Sequence, residues 1–178
     1  MKRVKIENKE FVKMISSKEI SDAVSDMANK INREFSDKNP LFISVLNGAF
    51  IFSADLIRLL SFPCNISFVK LASYAGINST EKVKELIGFN EEIKERTIII
   101  LEDIVDTGHT IESSRQKLKD MGAGEIYVAT LLFKPNALKS GKRPDFVGLE
   151  IPNDFIVGYG LDYNGYGRNL PHIYKIEN

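Results

Sequence analysis

The sequence has little that would place this protein in an oxidising compartment or in a membrane. Its only cysteine, Cys64, cannot form an internal disulfide and fits a reducing cytoplasm. No apolar run approaches the roughly 20 residues of a membrane-spanning helix. The opening residues turn from basic to acidic with no apolar stretch behind them, so no signal peptide is expected. We therefore expect a cytoplasmic protein that does not bind membranes.

An excess of one charge is also missing. Lys and Arg together number 24, as do Asp and Glu, so nothing would steer the protein toward nucleic acid or an anionic membrane. The chain has no internal repeat, no low-complexity segment and no linker that would divide it. Residues 1–178 are therefore predicted to form a single domain, long enough for a full core.

Short apolar segments alternate with segments of helical periodicity. A first helix follows Ser16 and Glu19, which form a capping-box pair. Strand–helix alternation with short connections predicts an α/β domain, with a mainly parallel sheet and helices on both faces. Ligands of such sheets bind at the carboxyl ends of the strands, near a topological switch. Further helices are predicted over 52–60 and from Ile111 to Met121, with strands over 41–46, 66–72, about 85–88, from 98, 125–133, 145–149 and 155–159.

The segment from Ile98 to Thr110 carries the strongest functional signal. Four apolar residues predict a buried parallel strand, and three carboxylates, Glu102, Asp103 and Asp106, stand where we expect that strand to end. A Gly/Thr turn then opens a helix, whose N–H groups can hold phosphate oxygens. The carboxylates suit sugar hydroxyls, or a Mg²⁺ that carries phosphate. Since neighbouring strand residues point to opposite faces, Glu102 and Asp103 can share a pocket only where the chain leaves the sheet.

The motif has other interpretations when it is taken alone. Asp-Thr-Gly also marks aspartic proteases, but those are all-β and need two triplets, or one in each subunit. A strand ending in Glu-Asp with a later Lys-Pro also occurs in receiver domains. Those need a further acceptor Asp on a strand between the two, and Lys134–Pro135 follows too soon for that. The remaining alternative is that the acids are solvated loop residues, which is unusual for three carboxylates before a Gly/Thr turn.

The same segment resembles the phosphoribosyl-pyrophosphate loop of type I phosphoribosyltransferases. Their pattern is an apolar strand, two acids, two apolar residues and then Asp-Thr-Gly-x-Thr. Further segments resemble the hypoxanthine-guanine phosphoribosyltransferases of that family, and they occur in the same order between about residues 40 and 172. These segments are 46–50, 70–74, 131–135 and 144–163.

The resemblance implies a fold, an activity and partners. The fold is the type I phosphoribosyltransferase fold, with a small hood formed by the terminal segments, to which residues 150–178 contribute the purine-binding part. The activity is transfer of the 5-phosphoribosyl group from phosphoribosyl pyrophosphate to hypoxanthine or guanine, giving IMP or GMP and pyrophosphate. Mg²⁺ is the implied cofactor, and a homodimer or homotetramer the implied assembly. Two alternatives stay open: a relative acting on xanthine, adenine or a pyrimidine, and an RNA-binding regulator, for which the balanced charge gives no sign.

The resemblance assigns roles for phosphoribosyl pyrophosphate residue by residue. Glu102 and Asp103 contact the ribose hydroxyls and the metal, and Asp106 is the general base or acid at the purine ring nitrogen, or alternatively a simple helix N-cap. His109 is either a protonated phosphate contact or a solvated loop residue. The 5′-phosphate site comprises Asp106, Thr107, Gly108, His109 and Thr110, and pyrophosphate is held by Arg168 and by the turn at Asn47 and Gly48, which in the family often contains a cis peptide.

The resemblance also assigns the purine site. Lys134 donates to the exocyclic oxygen of a 6-oxopurine, Phe155 stacks on the ring, and Ile156 offers its backbone to the edge of the base. Asp162 lies with these residues and supplies a carboxylate to the second metal. Ser73 and Tyr74 begin a lid that excludes water during the reaction. Many relatives have Lys where this chain has Asn47, so the turn is expected to bind through its backbone N–H groups.

Overall fold

The computed structural model describes residues 3–72, 84–87, 91–139 and 141–177. Within these ranges the chain forms ten strands and three helices. The helices are α1 (Ser17–Phe35), α2 (Phe50–Ile57) and α3 (His109–Asp120). The strands are β1 (Arg3–Ile6), β2 (Lys9–Ile15), β3 (Leu41–Leu46), β4 (Asn65–Ala72), β5 (Lys84–Ile87), β6 (Ile98–Val105), β7 (Ile126–Phe133), β8 (Phe146–Glu150), β9 (Ile156–Val157) and β10 (Ile173–Ile176).

The main sheet confirms the predicted α/β architecture. Its strand order is β5-β4-β3-β6-β7-β8, with β5 antiparallel to β4 and every other pair parallel. The chain proceeds from β3 to β4 in one direction, and β6 is then added on the other side of β3. The carboxyl ends of β3 and β6 therefore meet at the topological switch, where ligands of doubly wound sheets bind.

Helices cover both faces of this sheet. On one face, α1 and α2 pack with Ile99 and Leu101 of β6 in the larger core cluster. On the other face, α3 packs with Ile98 and Ile100 of the same strand. The predicted capping box at the start of α1 is present, with the Ser16 hydroxyl accepting the Glu19 N–H. None of the described helices has the length and apolarity needed to cross a membrane.

The terminal segments form a second sheet, of order β1-β2-β10-β9 and antiparallel throughout. It is the hood expected from the resemblance, although local periodicity did not predict β1, β2 or β10. It has its own small core around the fully buried ring of Phe11, with Ile6, Val157 and Tyr174. The N-terminal strands therefore build the hood together with the C-terminal ones.

Several sequence-based boundaries were wrong, and those of β6 and α3 bear on the site. Strand β6 does not end at its carboxylates, because β7 still pairs with it as far as Val105 and Phe133, after the last partner from β3 at Leu101. Met121 is exposed rather than packed with α3, since the helix ends before it and Gly122, at φ +82°, turns the chain away. The predicted role of Gly122 as the residue that ends this helix is confirmed.

Candidate active site

The turn after β3 packs directly on β6. The peptide bond between Leu46 and Asn47 is cis. A Cβ atom on Gly48 would lie 1.5 Å from Oδ2 of Asp103, so any side chain at this position would displace the carboxylate. The switch point therefore brings the predicted pyrophosphate turn and one of the predicted ribose ligands into contact, and it requires glycine there.

Glu102 and Asp103 do not share a pocket, contrary to expectation. Both lie within β6, where successive side chains alternate between faces. Asp103 follows Leu101 on the α1/α2 side, and Glu102 follows Ile100 on the α3 side, opposite the buried Thr130. The expectation was wrong because β6 is longer than predicted, and the chain does not leave the sheet between the two carboxylates.

The pKa values of both carboxyl groups are raised above the usual range. Burial raises the pKa of Asp103 to about 6, although the Ile104 N–H, which donates to its Oδ1 at 2.8 Å, and the Arg168 guanidinium lower it. Burial, with the neighbouring Asp103 carboxylate, raises the pKa of Glu102 well above that of an ordinary glutamate. Holding these groups ionised in the absence of a ligand therefore destabilises the folded protein.

The hood places a second acid beside this turn. Arg168 pairs with Asp162, with 2.7 Å between Nη2 and Oδ1, and donates from Nη1 to the Gly160 carbonyl at 2.6 Å. A Cβ on Gly160 would lie 2.1 Å from the carbonyl oxygen of Gly48, so the hood loop packs against the turn backbone. Asp162 is close enough to contribute to the raised pKa of Asp103.

The three predicted metal ligands are not gathered at one point. Among the residues that the structure describes, no group of three or more His, Cys, Asp or Glu side chains is placed to hold a metal ion. Glu102 is directed to the opposite face of the sheet from Asp103, which removes it from the set. Asp103 and Asp162 remain as a pair of carboxylates, close enough for the charge of Asp162 to raise the pKa of Asp103.

The start of α3 has the features of a helix end that could hold an anion. Its N-cap is Gly108, at φ +84°, and no side chain in the described part of the chain caps it. The first amides of a helix have no intrahelical partner, and the helix dipole favours an anion there. His109 and Thr110 form the exposed first turn, and Thr107 precedes the cap. The interpretation of Asp106 as the N-cap is wrong.

Lys134 and Asp106 form an ion pair at the carboxyl edge of the sheet. The Nζ–Oδ2 distance is 3.1 Å, and Lys134 is only 8% exposed, whereas the Asp106 side chain is 47% exposed. The two residues are brought together because β6 and β7 are neighbours, and the Lys134 N–H donates to the Val105 carbonyl at 3.0 Å. Lys134 is therefore not a solvated surface lysine.

The hood presents an aromatic ring and an open backbone edge. Phe155 is 47% exposed and makes an edge-to-face contact with Tyr163, with 5.9 Å between ring centroids. Strand β9 lies at the edge of its sheet, and the Ile176 N–H donates to the Phe155 carbonyl at 2.9 Å. Because bonding alternates along an antiparallel pair, the backbone groups of Ile156 point away from β10. The predicted lid residues, Ser73 and Tyr74, lie outside the described residues.

Periodicity did not indicate two contacts that hold the hood to the helices. The Tyr159 hydroxyl donates to Oδ2 of Asp55 at 2.6 Å, and Nδ1 of His172 accepts the Ser17 N–H at 2.9 Å. The available signal was the sequence Gly158-Tyr159-Gly160, because glycines on both sides of one residue are typical of a backbone in an unusual conformation.

A doubly wound sheet that gathers a helix start without a side-chain cap, strand-borne carboxylates and a buried lysine at its carboxyl edge defines an α/β protein with a candidate site for a phosphorylated ligand. The family model described as "Phosphoribosyl transferase domain" matches residues 12–164. The chain therefore belongs to the phosphoribosyltransferase family and is a transferase. This match confirms the family resemblance, and the sheet excludes the all-β aspartic proteases.

Individual relatives agree with that assignment. The chain is 38% identical to the hypoxanthine-guanine phosphoribosyltransferase of Bacillus subtilis over 161 residues, covering 90% of this chain and 89% of the relative. It is 35% identical to the enzyme of that name from Lactococcus lactis, covering 90% of this chain and 87% of the relative. Among solved structures, a hypoxanthine phosphoribosyltransferase from Staphylococcus aureus has a TM-score of 0.88 at 30% identity, covering 93% of this chain and 90% of that one.

Proposed function

We propose that this enzyme salvages 6-oxopurines, transferring the 5-phosphoribosyl group from phosphoribosyl pyrophosphate to hypoxanthine or guanine and releasing pyrophosphate. The observation that carries the proposal is the buried Lys134 ammonium, paired with Asp106 beside the uncapped start of α3. An ammonium has only hydrogen-bond donors. It can pair with a 6-oxo acceptor, but with the 6-amino group of adenine it would leave two donors face to face.

The pairing supports specific roles for both residues. As the 6-oxo group accepts from Lys134, the ammonium is shared between that oxygen and the Asp106 carboxylate. Asp106 is then placed to take the proton from the purine ring nitrogen while that nitrogen bonds to the anomeric carbon and the bond to pyrophosphate breaks. Phe155 stacks on the ring, and the open backbone of Ile156 bonds the edge of the base. Because positioning and electrostatics dominate such transfers, these fixed groups supply most of the expected acceleration.

The phosphoribosyl pyrophosphate would span the switch point. Its 5′-phosphate is assigned to the α3 start at Thr107–Thr110, and its ribose hydroxyls to Asp103. Glu102, the other predicted ribose contact, lies on the opposite, α3 face of β6. Its pyrophosphate is assigned to the Asn47–Gly48 turn and to Arg168, whose guanidinium suits a two-point phosphate grip. Arg168 is already oriented by Asp162 at 2.7 Å.

The residues fit a Mg²⁺ that arrives with the substrate. Mg²⁺ in phosphate-transferring enzymes is commonly held by one or two carboxylates together with substrate phosphates, rather than by an all-protein cage. Asp103 and Asp162, which are close enough for the charge of Asp162 to raise the pKa of Asp103, supply such a pair. When bound, the ion would neutralise the charge that develops on the leaving pyrophosphate.

We further propose a cytoplasmic homodimer or homotetramer. Phe50 at the start of α2 and Leu59 just after its end are large apolar side chains that are 43% and 46% exposed, and a partner chain that covered them would remove this apolar surface from water. Light scattering of the purified protein, across a range of concentrations, measures the assembly directly.

The proposed function is tested by incubating the protein with phosphoribosyl pyrophosphate, Mg²⁺ and one nucleobase at a time. We expect IMP from hypoxanthine and GMP from guanine, no AMP from adenine, and loss of turnover in excess chelator, restored by added Mg²⁺. Xanthine and uracil complete the panel. Efficient conversion of adenine, or undiminished turnover in chelator, would contradict the proposal.

Replacing Lys134 by glutamine should narrow the preference for 6-oxopurines. A glutamine amide both donates and accepts, so it can pair with a 6-oxo or a 6-amino group. We expect kcat/KM for hypoxanthine to fall about 10–100-fold, as is usual when a buried charge-assisted hydrogen bond is lost, and adenine turnover to become measurable. Lys119→Gln, an exposed lysine in the last turn of α3, is the matched control. If the ratio of kcat/KM for hypoxanthine to kcat/KM for adenine does not change, Lys134 does not select the base.

A further inference from the structure

We propose that Tyr159 is a positioning residue for the pyrophosphate half of the site. Through its hydrogen bond to Asp55 on α2, it holds the Gly160 backbone between the Gly48 turn and Arg168. This inference rests on the proposed function, because it assumes that these two groups hold the pyrophosphate. Neither Tyr159 nor Asp55 is among the residues assigned to the substrates, so both would act through the backbone that they fix.

The bond joins the hood to the helix that follows the pyrophosphate turn. The Tyr159 hydroxyl donates to Oδ2 of Asp55 at 2.6 Å, and Tyr159 is 8% exposed. Burial and this bond raise the pKa of the Tyr159 phenol, so it remains a protonated donor throughout the neutral range. Asp55 lies on α2, which begins at Phe50, directly after the turn. The bond therefore fixes the distance between the hood and the helix that directly follows the Gly48 turn.

The backbone around Tyr159 adopts a conformation that needs external support. Gly158, Tyr159 and Gly160 have φ values of +103°, +48° and +102°. A side chain at Tyr159 disfavours this left-handed region, and non-glycine residues remain in it when their surroundings enforce it. A Cβ on Gly158 would lie 2.0 Å from the His172 carbonyl oxygen, and one on Gly160 would lie 2.1 Å from the Gly48 carbonyl oxygen. The segment is thus enclosed on both sides by backbone.

Arg168 is held by the same segment. The Gly160 carbonyl accepts from Nη1 of Arg168 at 2.6 Å, and the Gly160 N–H donates to the Arg168 carbonyl at 2.9 Å. Nη2 of Arg168 is then directed to Asp162. A shift of Gly160 would move Arg168 relative to the Gly48 turn, and the two pyrophosphate contacts would lose their common geometry.

The purine half is supported by other elements. Lys134 follows β7 and is fixed by Asp106 and the Val105 carbonyl. Phe155 precedes β9, and its carbonyl is bonded to the Ile176 N–H. Loss of the Tyr159 hydroxyl should therefore change the binding of pyrophosphate and leave the binding of the base as it was.

The surroundings make this bond testable without unfolding the protein. Tyr159 and Asp55 line a cleft of about 510 Å³, together with Ser21 and Asn169. The Asp55 side chain is 45% exposed, so water can solvate its carboxylate once the phenol is gone. Tyr159→Phe keeps the ring that packs in the core and removes only the donor.

The test compares KM for phosphoribosyl pyrophosphate, KM for hypoxanthine, and the Kd of pyrophosphate measured with Mg²⁺ by calorimetry. For Tyr159→Phe we expect KM for phosphoribosyl pyrophosphate and Kd of pyrophosphate to rise about tenfold, the fold-change of a lost hydrogen bond to a charged group. KM for hypoxanthine should not change. Asp55→Ala should raise the same two constants by the same factor, and the double variant should raise them no further than either single variant does. Asp55→Asn retains an acceptor and should lose less than Asp55→Ala.

Tyr127→Phe is the matched control, since it removes a phenol that bonds to the Glu125 carboxylate at the amino end of β7. A change of both KM values in parallel, an additive double variant, or a Tyr159→Phe enzyme that behaves like Tyr127→Phe would overturn the inference. Failure of the unsubstituted enzyme with every base would instead contradict the proposed function. Should Tyr159→Phe fold poorly, Asp55→Ala answers the same question from the other side of the bond.

Discussion

Replacing Asp106 by asparagine is expected to lower kcat for IMP formation about 10²–10⁴-fold, the usual contribution of a general acid–base group. Asparagine retains an oxygen that can accept from Lys134, which lies 3.1 Å from the native carboxylate. It also leaves the start of α3 intact, because the N-cap is Gly108. What is lost is the capacity to accept a proton, and that matters only while the purine ring nitrogen forms its new bond.

Steady-state kinetics with both substrates separate the possible roles of Asp106. A loss confined to kcat, with KM for phosphoribosyl pyrophosphate near its normal value, supports proton transfer. A loss confined to KM for hypoxanthine would mean that Asp106 only orients Lys134. Asp37→Asn, an exposed aspartate in the turn after α1, provides the control for a changed surface charge.

The parts of the fold that were predictable have local signals. Strands β3 and β6 each begin with a run of apolar residues, over 41–43 and 98–101, because both faces of these strands are covered by helices, and that pattern is typical of a parallel strand. The capping box of α1 and Gly122 after α3 are formed by residues near in sequence. Because neighbouring parallel strands end at the same edge of a sheet, the strand–helix pattern also predicted that the site residues would lie at the carboxyl edge.

The hood had no such signal, because its pairings are between distant segments. Strand β10 pairs with β2, bringing Ile173 opposite Ile15, and neither strand shows a regular alternation. The bond between Tyr159 and Asp55 spans 104 positions along the chain. The hood was therefore expected only from the family resemblance.

The contact between Lys134 and Asp106 could not be predicted from the residues around each of them. Each residue was assigned its own partner, one the base oxygen and the other the ring nitrogen. That they contact each other follows from the register of β6 and β7, which sets Val105 beside Phe133. The same register keeps Glu102 within the sheet and so separates it from Asp103. The alternation of strand side chains was foreseen, but the position at which the strand ends was not.

The double substitution Glu102→Gln with Asp103→Asn should remove most of the activity and at the same time stabilise the fold. Both native groups are buried carboxylates within β6: Asp103 is assigned to the ribose hydroxyls, and Glu102 is its neighbour on the α3 face. An amide cannot supply the charge that orients these hydroxyls and attracts Mg²⁺, so we expect turnover to fall about 10²–10³-fold. The shapes of the side chains are retained, and the packing of the strand should not change.

The gain in stability follows from the direction of the pKa shifts. Because both pKa values are raised in the folded protein, the folded state binds these protons more tightly than the unfolded state does. The free energy of unfolding therefore falls as pH rises from about 4 through the folded pKa of each group. For Asp103 the shift from 3.8 to about 6 corresponds to about 3 kcal/mol above pH 7, at about 1.4 kcal/mol per pKa unit. Glu102 adds to this in the same direction.

Urea unfolding of the wild type and the double variant at pH 5 and pH 8 measures this gain. The free energy of unfolding of the variant should exceed that of the wild type by more at pH 8 than at pH 5, since only the wild type loses stability as its carboxylates ionise. The control is Glu34→Gln with Asp37→Asn, which makes the same change of charge at two exposed positions. A double variant that turns over like wild type would contradict the ribose assignment. One that is less stable at pH 8 would mean that the buried carboxylates contribute to the fold through ionised interactions.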